Sequence, residues 1–284
     1  MKHSLLLSAL ALSSAFSASA QEAPLWEAGV GLSSAYFNDY PGASNTRAVV
    51  VPFPYFVYRG DRIKVDRRAI RGILADGDDW SIEVGFGGTL PVKSDDNERR
   101  VGMDDLDPVV GIGPKFSYRL GGEVDTGLWS VEVPVHANFA SDFSYVDHVG
   151  WTSTPQFRYR HILPVRHLEN WSINATAGVI LADERYFDYV YGVDDEYATS
   201  WRPAYEADGG YGGWRVSVGM SRRIGKWWFG SFARYRNMSG SAFEDSPLVE
   251  KEDALSLGVA VAWIFAASKE HVDLSKRHGP STDE

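Results

Sequence analysis

From Trp80 to Phe265 the chain changes character at every second residue, in one segment after another. The clearest segment is residues 254–265. Its odd positions, Leu255, Leu257, Val259, Val261, Trp263 and Phe265, are bulky and apolar. Its even positions, Ala254, Ser256, Gly258, Ala260, Ala262 and Ile264, are mostly small. Successive side chains of a strand point to opposite faces, so a period of two marks a strand with two different environments. The same alternation puts Trp80, Ile82, Val84 and Phe86 on one face. It does so again for Trp129, Val131, Val133 and Val135, for Trp171, Ile173, Ala175 and Ala177, and for Trp214, Val216, Val218 and Met220. Each segment is about as long as the 9–11 residues that a tilted strand needs to cross a bilayer.

A soluble sandwich also alternates, with its apolar faces turned to a shared core. Two features favour a membrane barrel. Trp80, Trp129, Trp171, Trp214, Trp227 and Trp263 sit at the ends of the apolar faces, where interfacial girdles belong. The opposite faces mix small residues with charges, as a crowded polar lumen would. The 28 glycines beside 10 Trp, 14 Tyr and 14 Phe also suit strands and tight turns. The expected fold is all-β: a transmembrane, antiparallel, up-and-down β-barrel.

The first twenty residues read as an address. Lys2 and His3 precede an apolar run at 5–12, and Ala18-Ser19-Ala20 offers small residues at a cleavage site before Gln21. The run is too short to span the ~30 Å hydrocarbon core as a helix. No later stretch approaches about 20 uninterrupted apolar residues. The expected organisation is a cleaved signal peptide at 1–20, a barrel at 21–265 and a polar periplasmic tail at 266–284.

Connection lengths orient the chain. Short connections at 77–79, 121–128, 164–170 and 225–226 alternate with longer polar stretches at 92–108, 141–148, 183–210 and 239–253. Bacterial barrels keep short turns in the periplasm and long loops outside, with an even strand count and both termini periplasmic. Reading residues 62–75 as one strand gives eleven. Splitting them into 62–66 and 69–75, around Arg67-Arg68, gives twelve strands with two of them short. Ten is the alternative, if both short pieces pack outside the wall.

Projected inward, the alternation places Glu27, Glu83, Glu132 and His136 in the lumen, with Lys115, Arg119, Arg158, Arg160, Arg215, Arg223, Arg234 and Arg236. One reading is an ion-pair network that fills a narrow barrel and helps fix its packing. The other is an anion-attracting eyelet of a solute pore. Twelve strands enclose much less than the ~16–18 of porins, which favours the first.

The remaining chemistry is sparse. A formal net charge of -10 argues against nucleic acid. The absence of cysteine excludes thiolate metal sites and cysteine nucleophiles. Asp95, Asp96, Asp104, Asp105 and Asp107 form one acidic loop; Asp194, Asp195 and Glu196 lie beside Tyr186, Phe187, Tyr189, Tyr191 and Tyr197 in another. Such clusters can bind divalent cations or face a host ligand, but the spacing does not match a Ca²⁺ loop. A solvated loop is expected instead. The seven histidines lack zinc spacing. There is no G-x-S-x-G elbow. Ser141, Ser144 and His148 share a polar loop without an orienting third group. No catalytic residue, cofactor or metal is expected.

A series of short motifs carries a family resemblance. It comprises Trp26-Glu27-Ala28-Gly29-Val30-Gly31, Tyr40-Pro41-Gly42-Ala43-Ser44, Val51-Pro52-Phe53-Pro54-Tyr55, Arg59-Gly60-Asp61-Arg62, Asp104-Asp105-Leu106-Asp107-Pro108 and Gly111-Ile112-Gly113-Pro114. Later come Tyr189-Val190-Tyr191-Gly192-Val193 and Pro203-Ala204-Tyr205-Glu206-Ala207-Asp208-Gly209-Gly210. Their order and spacing, from about Trp26 to Phe265, resemble the MipA/OmpV family of Gram-negative outer-membrane proteins. The resemblance implies a non-enzymatic, monomeric barrel set in outer-membrane lipid and lipopolysaccharide. It also implies a scaffold that brings a lytic transglycosylase together with a bifunctional penicillin-binding protein that synthesises murein. A narrow solute channel or osmotic-stress protein is the alternative, and an adhesin using the outer loops a third. Family members usually finish on the terminal aromatic of the last strand, which the insertion machinery reads. Here Phe265 is followed by residues 266–284, so either an internal signal suffices or the tail makes a periplasmic contact.

Overall fold

A computed structural model describes residues 22–65, 70–142, 144–163 and 171–273. The expected signal peptide, the Arg67-Arg68 turn, the 164–170 connection and residues 274–284 lie outside the described residues. The barrel strands are β1 (Trp26–Asn38), β2 (Thr46–Arg59), β3 (Ile63–Val65), β4 (Ile70–Asp76), β5 (Trp80–Thr89), β6 (Val109–Gly121) and β7 (Leu128–Ala140). There follow β8, in two pieces (Asp147–Ser153 and Gln156–Leu163), β9 (Trp171–Ala182), β10 (Gly210–Ile224), β11 (Trp227–Asn237) and β12 (Asp253–Ala267). Both pieces of β8 lie between β7 and β9, and they part at Thr154-Pro155, where proline has no N–H to give the ladder. Each strand pairs antiparallel with the next, and β12 pairs with β1 to close the wall. The count is the expected twelve, with the short β3 and β4 inside the wall, so the ten-strand alternative falls.

The register confirms which side chains face inward. On β12, Ala262, Ala260 and Gly258 pair with Gly31, Ser33 and Ala35 of β1. The opposite face is large, apolar and exposed, as in Val30, Leu32, Val259 and Phe265. In water such a face would be an aggregation surface; in a bilayer the acyl chains cover it. Small inward residues make room for the few aromatics that point in. A Cβ on Gly31 would lie 2.4 Å from the Phe53 ring, and one on Gly258 2.3 Å from the Phe232 ring. Trp80, Trp129, Trp171, Trp227 and Trp263 collect at the end that carries the short turns and the termini, and the guanidinium of Arg222 lies 5.6 Å from the Trp171 ring centroid. That is an aromatic belt with a snorkelling cation.

The prolines of β2 have a place in this wall. β2 pairs with β3 at Tyr58 and Arg59 alone, so among the described residues no strand pairs with the far edge of residues 46–54. The Asp39 N–H donates to Asn45 O, which sets the odd residues of β2 toward β1. Pro52 and Pro54 therefore turn their nitrogens to the edge without a partner strand. Two fewer donors are left facing lipid there, where each unsatisfied N–H costs several kcal/mol.

The outer loops do not form the expected solvated surface. Residues 184–191 fold as helix α1 (Glu184–Tyr191), whose N-cap Asp183 accepts from the Tyr186 N–H. Phe187 and Tyr191, one turn apart, are buried against Tyr40, Val92, Leu106, Phe243 and Leu248 from three other loops. Tyr191 stacks on Phe243 at 3.7 Å, and Phe187 meets the same ring edge-on at 4.7 Å. Asp194, Asp195 and Glu196 do stay exposed. The aromatic part of the expectation failed because the partners of an eight-residue helix come from loops 50 to 150 residues away, out of reach of local pattern.

Arginines and one glutamate tie this cap together. Arg202 donates to Arg99 O at 2.8 Å, Val101 O at 3.1 Å and Tyr197 O at 2.8 Å; Arg100 donates to Asp104 O at 3.0 Å and Val190 O at 3.2 Å. Glu250 accepts from the Ser44 N–H (3.0 Å) and hydroxyl (2.6 Å) and pairs with Arg99 at 3.0 Å, joining three loops. Burial pushes the Glu250 carboxyl up, but the two Ser44 bonds and Arg99 outweigh it and hold the carboxyl below its ordinary range. A depressed carboxylate stabilises the fold above its unfolded pKa, about 4.3, and that contribution disappears as pH falls through the lower folded value. Protection of residues 42–44 against hydrogen exchange, measured relative to the intrinsic rate at each pH, should therefore fall as pH drops below about 4. Glu250→Gln should exchange faster at neutral pH and lose most of that acid response; an unchanged response in this variant would remove Glu250 as its source.

Candidate functional site

All twelve charged residues projected inward lie on the luminal side of their strands, and they fall into three groups. The first surrounds Glu27, which is fully buried. Arg59 Nη2 lies 2.9 Å from Glu27 Oε2, and Arg223 donates to Glu27 Oε1. The second is a chain across β4 to β8. Lys115 Nζ is 3.0 Å from the buried Glu83 and 3.6 Å from Glu132, and Arg71 is 4.0 Å from Glu83. Arg158 lies 2.9 Å from Glu132, which also accepts from Gln156 at 2.7 Å. Arg160 is buried beside this chain, while Arg119 reaches down to Asp79 in the β4–β5 turn at 4.0 Å. The third group, His136, Arg215, Arg234 and Arg236, lines a cavity of about 670 Å³ under the cap.

Buried ion pairs contribute little net stability, because desolvation offsets attraction; removing one partner is what costs several kcal/mol. Glu27 lies on β1, the strand that closes the wall against β12. Sequence reasoning missed Arg59 and Arg71. Their signals were weak for different reasons. Both faces of β2 are apolar around Val49-Val50-Val51, which hides its parity, and Arg71 lies in the stretch 62–75, whose parity depends on where it is split.

The serine and histidine loop does not assemble a catalytic pair. The Ser144 hydroxyl donates to Asp142 at 2.6 Å and that of Ser141 to Tyr145 O at 2.6 Å. His148 packs between Phe139 and Trp151, and its Nε2 has no hydrogen-bond partner among the described residues. No three His, Asp or Glu side chains among the described residues converge as a metal site would require.

At the end carrying the short turns, the chain termini meet. Residues Glu22–Pro24 pair antiparallel with His271–Asp273, Glu22 opposite Asp273. Leu25 N–H donates to Glu270 O at 2.8 Å, Ser268 N–H to Trp26 O at 2.9 Å, and Arg59 to Pro24 O at 2.7 Å. Residues 266–273, expected in a polar tail, thus complete β12 and form half of a two-stranded ribbon. Composition gives no sign of this pairing, because the ladder rests on backbone bonds.

A protein-family model described as "MltA-interacting protein MipA" matches residues 30–265, nearly all of the barrel. The chain belongs to that family. Its barrel is accordingly an outer-membrane one, with the ribbon and short turns on the periplasmic side. No curated protein matches the chain. Among solved structures, a "Bacterial polysaccharide outer membrane secretin" aligns at 9% identity with a TM-score of 0.44, covering 84% of this chain and 99% of that one. A FadL homologue from Pseudomonas aeruginosa aligns at 6% identity with a TM-score of 0.21, covering 84% and 91%.

Proposed function

We propose that this MipA-family barrel is a non-enzymatic scaffold, exported by a signal peptide cleaved after Ala20. At its periplasmic face it would hold a lytic transglycosylase beside a bifunctional penicillin-binding murein synthase. The family's description supports the first partner. The observation that carries the reading is the state of the two lumen ends. The outer end is roofed by the packed cap. The periplasmic end is occupied by Tyr55, Val57, Ala262 and Ile264, with Trp228 and the Glu27 ion pairs. A pore needs a continuous aqueous path, and packing of this kind opposes one.

Short turns alone offer little area against the ~800 Å² per partner of an ordinary stable interface. The ribbon adds to it. Neither of its strands has a second partner strand among the described residues, and an extended segment of a partner can pair along the 271–273 edge. The test is capture from detergent-solubilised envelopes on the folded, full-length barrel. Both enzymes should be recovered together, with neither on an unrelated barrel. A barrel that retrieves neither enzyme would overturn the scaffold.

A further inference from the structure

We propose that the upper lumen is a binding site for an anion of the phosphate class, held by Arg215, Arg234 and Arg236 beneath the outer cap. Arg215 of β10 and Arg236 of β11 are direct cross-strand partners, and Arg234, opposite Ser217, lies one inward position further down β11. All three line the same cavity, with His136 across it. Elsewhere in the lumen each buried carboxylate sits between two or more cations, as Glu27, Glu83 and Glu132 do. Here the balance is reversed. Among the described residues no carboxylate lies within 4 Å of Arg215, Arg234 or Arg236.

What they do touch is neutral. Arg215 donates to Gln156 Oε1 at 3.2 Å and Arg236 to Gly212 O at 2.9 Å, while Arg234 lies 5.9 Å from the Phe232 ring centroid. Arg236 Nε and His136 Nε2 are buried without a hydrogen-bond partner. The two aspartates on the cavity wall are engaged elsewhere: Asp39 pairs with Arg47 at 3.5 Å, and Asp107 accepts from Tyr145. Like charges directly across a ladder destabilise it, so three guanidiniums gathered around a cavity call for a compensating anion. Guanidinium forks match phosphate oxygens two at a time, which gives geometry as well as charge. The cavity lies within the 300–1,000 Å³ of small-molecule pockets, so the phosphate can carry a substituent. That substituent can belong to a soluble monoester or to a lipid headgroup. The inference concerns the lumen and is independent of the scaffold reading.

The test uses full-length protein refolded in detergent, titrated with inorganic phosphate, glycerol 3-phosphate and a short-chain phosphatidic acid at matched ionic strength. Thermal unfolding and calorimetry are the readouts. Saturable stabilisation by at least one probe is expected. A response to all three assigns a free phosphate, and a response to the lipid alone assigns a headgroup; either supports the site. Arg215→Gln with Arg236→Gln should weaken binding about tenfold or more, the scale of losing charge-assisted hydrogen bonds. Arg234→Gln, whose only described contact is a ring face, keeps the test open should the double variant fail to fold. Arg185→Gln, in an exposed outer-loop pair with Asp147, should bind as the parent does. No saturable response to any probe, or binding by the Arg234 and double variants as tight as the parent's, would overturn the site.

Discussion

Glu27→Ala is expected to lower the unfolding free energy of the barrel by about 3 kcal/mol, the lower end of what breaking a buried pair costs. The carboxylate is fully buried at the seam, and it holds Arg59, which is itself buried, together with Arg223. Without it the buried Arg59 guanidinium loses this carboxylate and stays desolvated. The Arg223 share is small, because that side chain is 43% exposed and water screens it. Glu27→Gln should fall between the two, since its amide oxygen still accepts one bond. Urea unfolding of vesicle-inserted protein, followed by tryptophan fluorescence, measures this. An Ala variant within about 0.5 kcal/mol of the parent, the range of ordinary surface changes, would show that the pair does not hold the seam.

Phe187→Ala should have a comparable effect confined to the cap. Phe187 is 1% exposed and packs on Phe243 and Tyr191. Truncating a buried Phe costs about 3–5 kcal/mol when the site cannot collapse, and the stacked rings leave little room to do so. The cap is built from loops, whereas the wall is tied by continuous ladders and lipid. The two should therefore separate. Protease added outside should cut within residues 183–209 many times faster than in the parent, while the wall keeps its resistance to unfolding by detergent at room temperature. Equal cleavage rates in the two proteins would mean that Phe187 does not anchor the roof.

The wall was the legible part of this molecule. Lipid on one side and a crowded lumen on the other impose a period of two, and β5, β7, β9, β10 and β12 display it openly. The inward position of Glu27 followed from the same parity. β2 escaped because Val49, Val50 and Val51 are apolar on both faces, which concealed Arg59 as the partner of Glu27. The cap escaped for a different reason. Tyr40, Leu106, Phe187 and Phe243 come from four separate hairpins, so no window of sequence contains their pattern. The ribbon escaped because three-residue strands carry no periodicity to read.

The proposed scaffold stands on binding of a murein enzyme at the periplasmic rim. The direct measurement is binding of a purified lytic transglycosylase to the folded barrel in detergent, with the parent and a Val272→Pro variant whose ribbon ladder is interrupted opposite Ala23. Saturable binding at micromolar concentration or tighter, about -8 kcal/mol, is expected for the parent, with a loss of roughly tenfold in the variant. No saturable binding by the parent up to about 100 µM would contradict it.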